Sequence, residues 1–140
     1  MKKTASAVWH GEVKTGQGSI STQTGVLHDA PYGFKARFED GPGTNPEELI
    51  GAAHAGCFSM ALSMMLGKEN LTPDTIHTIA EVTLDPEALE ITTIHLKVNA
   101  KVPGANDATF QRIANAAKEG CPVSKVLKGA RISMDATLDE

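Results

Sequence analysis

Two cysteines, Cys57 and Cys121, have the clearest chemical potential in this chain of 140 residues. A thiolate is a nucleophile and a metal ligand, and two thiols can also be oxidised to a disulfide. Two cysteines are too few for a secreted disulfide scaffold or for a zinc site with four cysteine ligands. If the two residues form a disulfide, we therefore expect it to take part in a reaction rather than to stabilise the fold.

The two cysteines occupy different local settings. Cys57 lies well inside a predicted long helix, where the helix N-terminus cannot lower its pKa and apolar surroundings raise it. A buried core cysteine is the alternative for this residue. Cys121 lies at the predicted start of a helix, where unpaired N–H groups and the helix dipole stabilise a thiolate. The helix positions alone therefore make Cys121 the more acidic thiol.

His54 precedes Cys57 by three residues and lies on the same helical face, so its imidazole could contact the thiol. A packed histidine with a hydrogen bond is the alternative. His54 and Cys57 could also hold a metal ion with further ligands, but no ligand spacing marks such a set and we predict no metal site. The further ligands would have to come from His10, His28, His77, His95 or Cys121.

Two charged residues upstream of Cys57 could also take part in chemistry. Arg37 lies in a turn-rich stretch, where an exposed strand position is the alternative. Glu47 falls in the first turn of the predicted helix, where a carboxylate interacts well with unpaired N–H groups. We expect Glu47 to stabilise the helix start in either case.

The long helix that carries Cys57 has clear boundary signals. Thr44 or Asn45 can cap it, Pro46 suits its first position, and it should run to about Leu66 before Gly67 ends it. It is apolar on nearly all sides, which predicts a buried central helix. Its length approaches a membrane span, but polar residues interrupt it, namely Glu47, Glu48, His54, Ser59 and Ser63.

The remaining elements give an α+β order in a single domain over residues 1–140. Short strands and hairpins are predicted from Ser6 to Phe38, and a β-hairpin from residues 75–84 and 91–102. A helix over residues 107–119 should stop at Gly120, and Cys121-Pro122 should open a short second helix. Residues 131–138 should form the last strand.

Composition excludes several classes of function. The net charge is −4 and the pI is near 5.7, so the chain lacks the excess positive charge that binds the phosphate backbone of nucleic acid. The basic N-terminus lacks the apolar segment of a signal peptide, and we expect a cytoplasmic protein that does not bind membranes. With 41% hydrophobic residues, the chain can fill one core.

Two cysteine motifs resemble the OsmC (osmotically inducible protein C) branch of the OsmC/Ohr family. They are the run from Thr44 to Ser63, TNPEELIGAAHAGCFSMALS, and the run from Gly120 to Leu127, GCPVSKVL. The upstream segments Pro31-Tyr-Gly-Phe and Gly25-Val-Leu fit the same branch. The likeness extends from Trp9 to Ile132, and the two cysteine motifs together are far more specific than any of the short patterns in general use.

The resemblance implies a fold and an activity. The fold would be OsmC-like, with antiparallel sheets wrapped around a long central helix in an intertwined homodimer whose active sites lie at the subunit interface. The activity would be that of a thiol-dependent peroxidase in oxidative or osmotic stress defence, which reduces organic hydroperoxides better than hydrogen peroxide. It would need no cofactor beyond an external dithiol reductant, which is a lipoylated protein in the related branch.

The resemblance also implies roles for four residues. Cys57 would be the peroxidatic cysteine and Cys121 the resolving one, with Arg37 and Glu47 completing the site. Glu47 precedes Cys57 by about 15 Å of regular helix rise, so the two cannot touch within one helix. Arg37 must bridge part of that distance, or the helix must bend, or the partner subunit must contribute.

The resemblance and the residues together predict a reaction cycle. Cys57 thiolate attacks the peroxide, Arg37 held by Glu47 stabilises the charge, and the resulting sulfenic acid condenses with Cys121 to a disulfide. An apolar wall near Cys57 would favour alkyl hydroperoxides and consist of Ile50, Phe58, Met60 and Met64. Two other classes of function stay open: a non-catalytic redox sensor or small-ligand binding module, and a metal-dependent hydrolase with His54 and Cys57 as ligands.

Overall fold

The structure is a computed structural model that describes residues 1–139. The chain divides into two compact units, Met1–Leu49 and a second unit that begins at Ile50. Each unit contains its own three-stranded sheet. The prediction of one domain over residues 1–140 stays a prediction.

The first unit is built on an antiparallel sheet in the order β1-β2-β3. Strand β1 (Ala5–His10) pairs with β2 (Gln17–Thr22), which pairs with β3 (Ala30–Tyr32). The rings of Trp9 and Tyr32 pack across this sheet with their centroids 5.5 Å apart. The predicted short strands and hairpins are confirmed over this stretch.

The prediction of strands as far as Phe38 is wrong at its end. The segment Phe34–Phe38 forms a short helix, α1, instead of a strand. Its two aromatic residues fit both structures, because Phe34 and Phe38 share one face of a strand and are also i, i+4 neighbours on a helix. The helix brings their ring centroids to 4.9 Å. Arg37 is therefore a helical residue, and the strand alternative for it is wrong.

A tight turn and an N-cap fix the start of the long helix α2 (Pro46–Gly67). Gly43 has a positive φ of 101°, and a side chain there would clash with the carbonyl oxygen of Pro31. The amide of Glu48 donates to Asn45 Oδ1 at 2.8 Å, and Asn45 Nδ2 donates to the carbonyl of Ala36 at 3.0 Å. The predicted capping is confirmed, with Asn45 as the N-cap residue.

The second unit contains the predicted hairpin and a strand that returns to it. Strand β4 (Thr75–Asp85) pairs antiparallel with β5 (Glu90–Lys101). Helices α3 (Asp107–Gly120) and α4 (Pro122–Val126) follow, and β6 (Arg131–Asp139) pairs with the other edge of β5. The predicted boundaries of all these elements agree with the structure to within one or two residues.

Strand β6 runs parallel to β5, so the expectation of antiparallel sheets is wrong for this pair. The physical reason is the connection between them. Helices α3 and α4 carry the chain back along the sheet, so that β6 starts at the same end as β5. Sequence periodicity identifies a strand but does not reveal its direction.

The core of the second unit lies between this sheet and the two longer helices. Alternate residues of β5 are buried, namely Ile94, Leu96, Val98 and Ala100. They pack with Phe58, Leu62 and Leu66 of α2 and with Phe110, Ile113, Ala114 and Ala117 of α3. One face of α2 and one face of α3 thus supply the helical side of the core.

The prediction that α2 is buried on nearly all sides is wrong for the single chain. Met60 is 77% exposed and Met64 is 56% exposed, although Phe58, Leu62 and Leu66 are fully buried. Within residues 1–139, α2 is the one helix long and apolar enough to cross a membrane by length and composition. Its packing in the core of the second unit accounts for the apolar residues on its buried face.

Candidate active site

Cys121 lies at the junction of two helices and belongs to both. Its backbone N–H donates to the carbonyl of Ala117 at 3.0 Å, which ends α3. Its sulfur accepts the backbone N–H of Ser124 at 3.3 Å, which caps α4, and Pro122 takes the first position of that helix. The predicted short helix with Cys121 at its cap is confirmed, and the side chain is fully buried.

Cys57 is half-buried on α2, and its thiol lies within hydrogen-bonding reach of Cys121. Both cysteines are reduced. The backbone N–H of Val123 also donates to the sulfur of Cys57. The first turn of α4 therefore provides backbone donors to both sulfurs, which places two thiols that could form one disulfide side by side.

The surroundings shift the two thiol pKa values in opposite directions. Burial raises the pKa of Cys57, and the neighbouring Cys121 raises it further, although the Val123 amide opposes them. Burial also acts to raise the pKa of Cys121, but hydrogen bonds from the hydroxyl and amide of Ser124 and from Cys57 outweigh it and lower that pKa. This order agrees with the prediction from helix position.

His54 is fully buried and does not touch solvent. Its Nε2 lies 2.7 Å from Ser124 Oγ, and its Nδ1 is buried without a hydrogen-bond partner among the described residues. Burial lowers the pKa of His54, which favours the neutral imidazole. The prediction of a packed, hydrogen-bonded histidine thus describes His54 correctly.

Sequence reasoning missed Ser124, which contacts both His54 and Cys121. Its hydroxyl is 2.7 Å from His54 Nε2 and 3.3 Å from Cys121 Sγ. The available signal was its position, because the third residue after an N-cap residue folds back over that residue's side chain. His54 comes from a distant part of the chain, so its contact with Ser124 could not be read from local spacing.

Arg37 and Glu47 come together within the first unit. Arg37 Nε and Nη2 both donate to Glu47 Oε1, at 3.1 and 2.8 Å. The Glu47 side chain is 10% exposed, and its Oε2 has no hydrogen-bond partner among residues 1–139. The carboxylate therefore fixes the orientation of the guanidinium. That this pair completes a site with Cys57 stays a prediction.

The predicted apolar wall does not form one surface. Phe58 is fully buried in the core of the second unit, so its place in a substrate pocket is wrong. Ile50 is half-buried against the same core, whereas Met60 and Met64 are exposed. Helical periodicity explains the split, because Phe58 points away from the face that carries Met60, Met64 and Cys57.

Among residues 1–139, no three or more His, Cys, Asp and Glu side chains cluster in a way that could hold a metal ion. His54, the metal-ligand candidate on α2, directs Nε2 towards the hydroxyl of Ser124. The pairing of His54 with Cys57 in a metal site therefore gains no support from the geometry.

Comparison with known proteins decides the family. The OsmC-like protein family matches residues 39–135. A protein named Peroxiredoxin OsmC from Escherichia coli (strain K12) is 54% identical over 138 residues, which cover 97% of this chain and 96% of that protein. The chain belongs to the OsmC family. The resemblance seen in the two cysteine motifs is thereby confirmed.

Other members of the family show the same relationship at greater distance. The organic hydroperoxide resistance protein OhrB of Bacillus subtilis is 33% identical over 80% of this chain and 82% of its own length. Its crystal structure has a TM-score of 0.68 over 96% of this chain and 98% of that chain, at 27% identity. The OsmC-like protein of Mycoplasma pneumoniae has a TM-score of 0.77 over 100% of this chain and 99% of that chain, at 14% identity. The OsmC-like α+β fold is confirmed.

Proposed function

We propose that this chain is a cysteine-based peroxidase that reduces organic hydroperoxides to alcohols, and hydrogen peroxide less well, in defence against oxidative and osmotic stress. The observation that carries the proposal is the contact between two reduced thiols, Cys57 and Cys121, at the start of α4. Relatives named Peroxiredoxin OsmC and organic hydroperoxide resistance protein support the same chemistry.

The reaction begins at Cys57. Its thiolate attacks the distal peroxide oxygen, the O–O bond breaks, and the departing alkoxide takes a proton to become the alcohol. Cys57 is left as a sulfenic acid. Cys121 then attacks the Cys57 sulfur, water leaves, and the disulfide forms. An external dithiol, of the lipoyl type in our proposal, reduces this disulfide and restores both thiols.

Arg37 and Glu47 prepare Cys57 for the first step. Burial and the neighbouring Cys121 raise the pKa of Cys57, so a nearby positive charge is needed to hold it as a thiolate at neutral pH. We assign that charge to the Arg37 guanidinium, which also stabilises the negative charge that develops on the peroxide. Glu47 holds two guanidinium donors on one oxygen and so fixes the direction of the others.

The functional unit in this proposal is an intertwined homodimer in the cytoplasm, with active sites at the subunit interface. Two separate apolar surfaces support the dimer. Met60 and Met64 are exposed on the same face of α2 as Cys57, and every residue of β1 is exposed, including Val8 and Trp9. Exposed apolar faces of this kind mark interaction surfaces. The two methionines would complete the substrate pocket with residues of the partner subunit.

The test is consumption of cumene hydroperoxide and of hydrogen peroxide with excess dithiol, by wild type, Cys57→Ser and Cys121→Ser. We expect sustained turnover by wild type with the organic substrate preferred, no turnover by Cys57→Ser, and one oxidation without recycling by Cys121→Ser. Full turnover by Cys57→Ser would contradict the assignment of the nucleophile. A single oxidation by wild type followed by arrest would favour a redox sensor.

A further inference from the structure

His54 is a fully buried ionisable group that the cycle above does not use. Its Nε2 lies 2.7 Å from Ser124 Oγ, and that hydroxyl lies 3.3 Å from Cys121 Sγ. Ser124 is itself 3% exposed. A continuous chain of three polar atoms, shielded from solvent, therefore leads from the imidazole to the resolving thiol.

The hydroxyl of Ser124 has one hydrogen and donates to one neighbour at a time, so two arrangements of this chain differ by the transfer of a proton. When Ser124 donates to His54 Nε2, its oxygen accepts the S–H of Cys121. When Ser124 donates to the sulfur, its oxygen accepts an N–H from His54 and Cys121 is a thiolate. The change from the first arrangement to the second moves one proton from Cys121 to His54 without moving a side chain.

We infer that His54, Ser124 and Cys121 form a proton relay that activates Cys121 for disulfide formation. The inference rests on the proposed peroxidase function and adds two residues to its second step. As Cys121 attacks the Cys57 sulfenic acid, the S–S bond forms and the S–O bond breaks. The thiol proton passes through Ser124 to His54 Nε2, and hydroxide leaves. Hydroxide then takes one proton from the imidazolium, so the net product is one water.

The electrostatics of the cluster suit this role. Burial lowers the pKa of His54, which favours the neutral imidazole, and the tautomer with its proton on Nδ1 leaves Nε2 free to accept. Burial would raise the pKa of Cys121, yet the hydroxyl and amide of Ser124 and the thiol of Cys57 lower it overall. The lowered pKa of Cys121 favours release of its proton, and a single hydroxyl, that of Ser124, connects its sulfur to His54 Nε2.

Other ionisable groups face the cluster from the neighbouring elements. Cys57 faces it from α2, and Ser124 also lines a cavity of about 160 Å³ whose charged residues are Lys118 and Glu119 of α3 and Lys128 after α4. Lys118 Nζ lies 3.6 Å from Glu119 Oε1, so these two charges largely offset each other. Lys125 of α4 is exposed.

The test separates the two steps of one oxidation. Reduced protein is mixed with one equivalent of cumene hydroperoxide and quenched at intervals, with and without dimedone. Mass spectrometry then measures sulfenic acid at Cys57 and disulfide between Cys57 and Cys121. In Ser124→Ala, we expect sulfenic acid to form within twofold of the wild-type rate. Disulfide should form about 10²-fold more slowly at pH 7, because the general base is disconnected.

The pH profile distinguishes a relay from a structural role. We expect the midpoint of the disulfide-forming step to move to higher pH in Ser124→Ala and in His54→Gln, and Ser124→Thr to restore the wild-type midpoint because it keeps the hydroxyl. Ser59→Ala is the matched control, since it removes a half-buried hydroxyl of α2 that bonds Thr78 Oγ1 at 2.8 Å. It should change neither step.

Each outcome separates the relay from the peroxidase proposal. Normal sulfenic acid formation with an unchanged disulfide step in Ser124→Ala would overturn the relay and leave the peroxidase intact. Absence of sulfenic acid at Cys57 in wild type would overturn both.

If the His54 and Ser124 variants fail to fold, the test moves to Cys57→Ser protein with the relay intact. There, the thiolate absorbance of Cys121 and the nitrogen NMR signals of His54 are followed together over pH. His54 nitrogen signals that shift with the same midpoint as the Cys121 thiolate absorbance support the relay, and signals that do not respond to thiolate formation overturn it.

Discussion

The thiols of Cys57 and Cys121 differ in pKa because different groups donate hydrogen bonds to their sulfurs. Ser124 donates its amide N–H to the Cys121 sulfur, that sulfur lies 3.3 Å from the Ser124 hydroxyl, and the neighbouring Cys57 also lowers the pKa of Cys121. Cys57 accepts the Val123 amide, which does not offset burial and the neighbouring thiol. Within the second unit, Cys121 is therefore the more acidic thiol, and Cys57 depends on a cation from elsewhere to become the nucleophile.

Replacing Arg37 should expose this dependence. In Arg37→Met, we expect kcat/KM for cumene hydroperoxide at pH 7 to fall about 10²- to 10³-fold, because thiolate and transition-state charge both lose their partner. Below the raised pKa of Cys57, the thiolate fraction grows with pH. The rate of Arg37→Met should therefore rise about tenfold per pH unit over that range. The measurement is the kcat/KM profile from pH 6 to 10.

Arg112→Met is the matched control for Arg37→Met. Arg112 Nη2 forms an ion pair with Glu69 Oε1 at 2.6 Å on the surface of the second unit. Removing it should leave the pH profile unchanged, since exposed ion pairs contribute little. A profile for Arg37→Met that matches wild type would show that Arg37 does not stabilise the Cys57 thiolate.

At the level of single residues, the sequence is informative where a local rule applies. Position in a helix correctly ranks the two thiols by pKa, and the resemblance pairs Arg37 with Glu47, which the structure brings together. Phe58 is misplaced and Ser124 is missed for one reason. Both depend on which helical face meets which distant segment, and spacing along the chain does not contain that information.

Among the secondary-structure elements, the start of α2 matters most for the position of Glu47. Asn45 makes two hydrogen bonds there, one to the Glu48 amide and one to the carbonyl of Ala36 in α1. One side chain thus caps the helix and ties it to the preceding element, which carries Arg37.

Removing this cap should destabilise the fold measurably. In Asn45→Ala, we expect the free energy of unfolding in urea to fall by about 1 to 2 kcal/mol. Asn115→Ala is the control, because Asn115 makes one exposed bond to the Gln111 carbonyl at 2.9 Å within α3. The free energy of unfolding of Asn115→Ala should stay close to that of wild type, since alanine favours a helix interior. Equal losses in both variants would show that the cap contributes nothing special.

The elements with strong local signals are the ones that sequence predicts. Helices α2 and α3 begin at capping residues and end at glycine, and the β4–β5 hairpin alternates apolar and polar residues. The sequence does not predict helix α1, because its five residues satisfy the period of a strand as well as that of a helix. The sequence does not predict the parallel direction of β6 either, because that direction depends on the path of α3 and α4, which no residue pattern encodes.

For the whole molecule, the exposed face of α2 is the feature that a partner subunit should cover. In Met60→Glu, we expect the mass in solution to fall from twice the 14.8 kDa chain to that of the single chain, because a carboxylate is costly in an apolar interface. Sedimentation equilibrium measures it. Met60 is 77% exposed in the single chain, so the substitution should not disturb the core.

Val26→Glu is the control for surface charge, since Val26 is 85% exposed in a loop of the first unit. It should leave the mass at twice that of the chain. A dimeric Met60→Glu protein would show that α2 is not in the interface, and a monomeric wild type would rule out the proposed assembly.

The parallel pairing of β6 also shapes how the chain is made on the ribosome. Strand β5 emerges with β4 already available on one side, but its other edge stays open until residues 131–139 follow. During that interval a strand with one apolar face presents unpaired backbone groups to its surroundings, which is the condition that promotes aggregation. The nascent second unit is therefore most prone to aggregation in the interval before its last strand is synthesised.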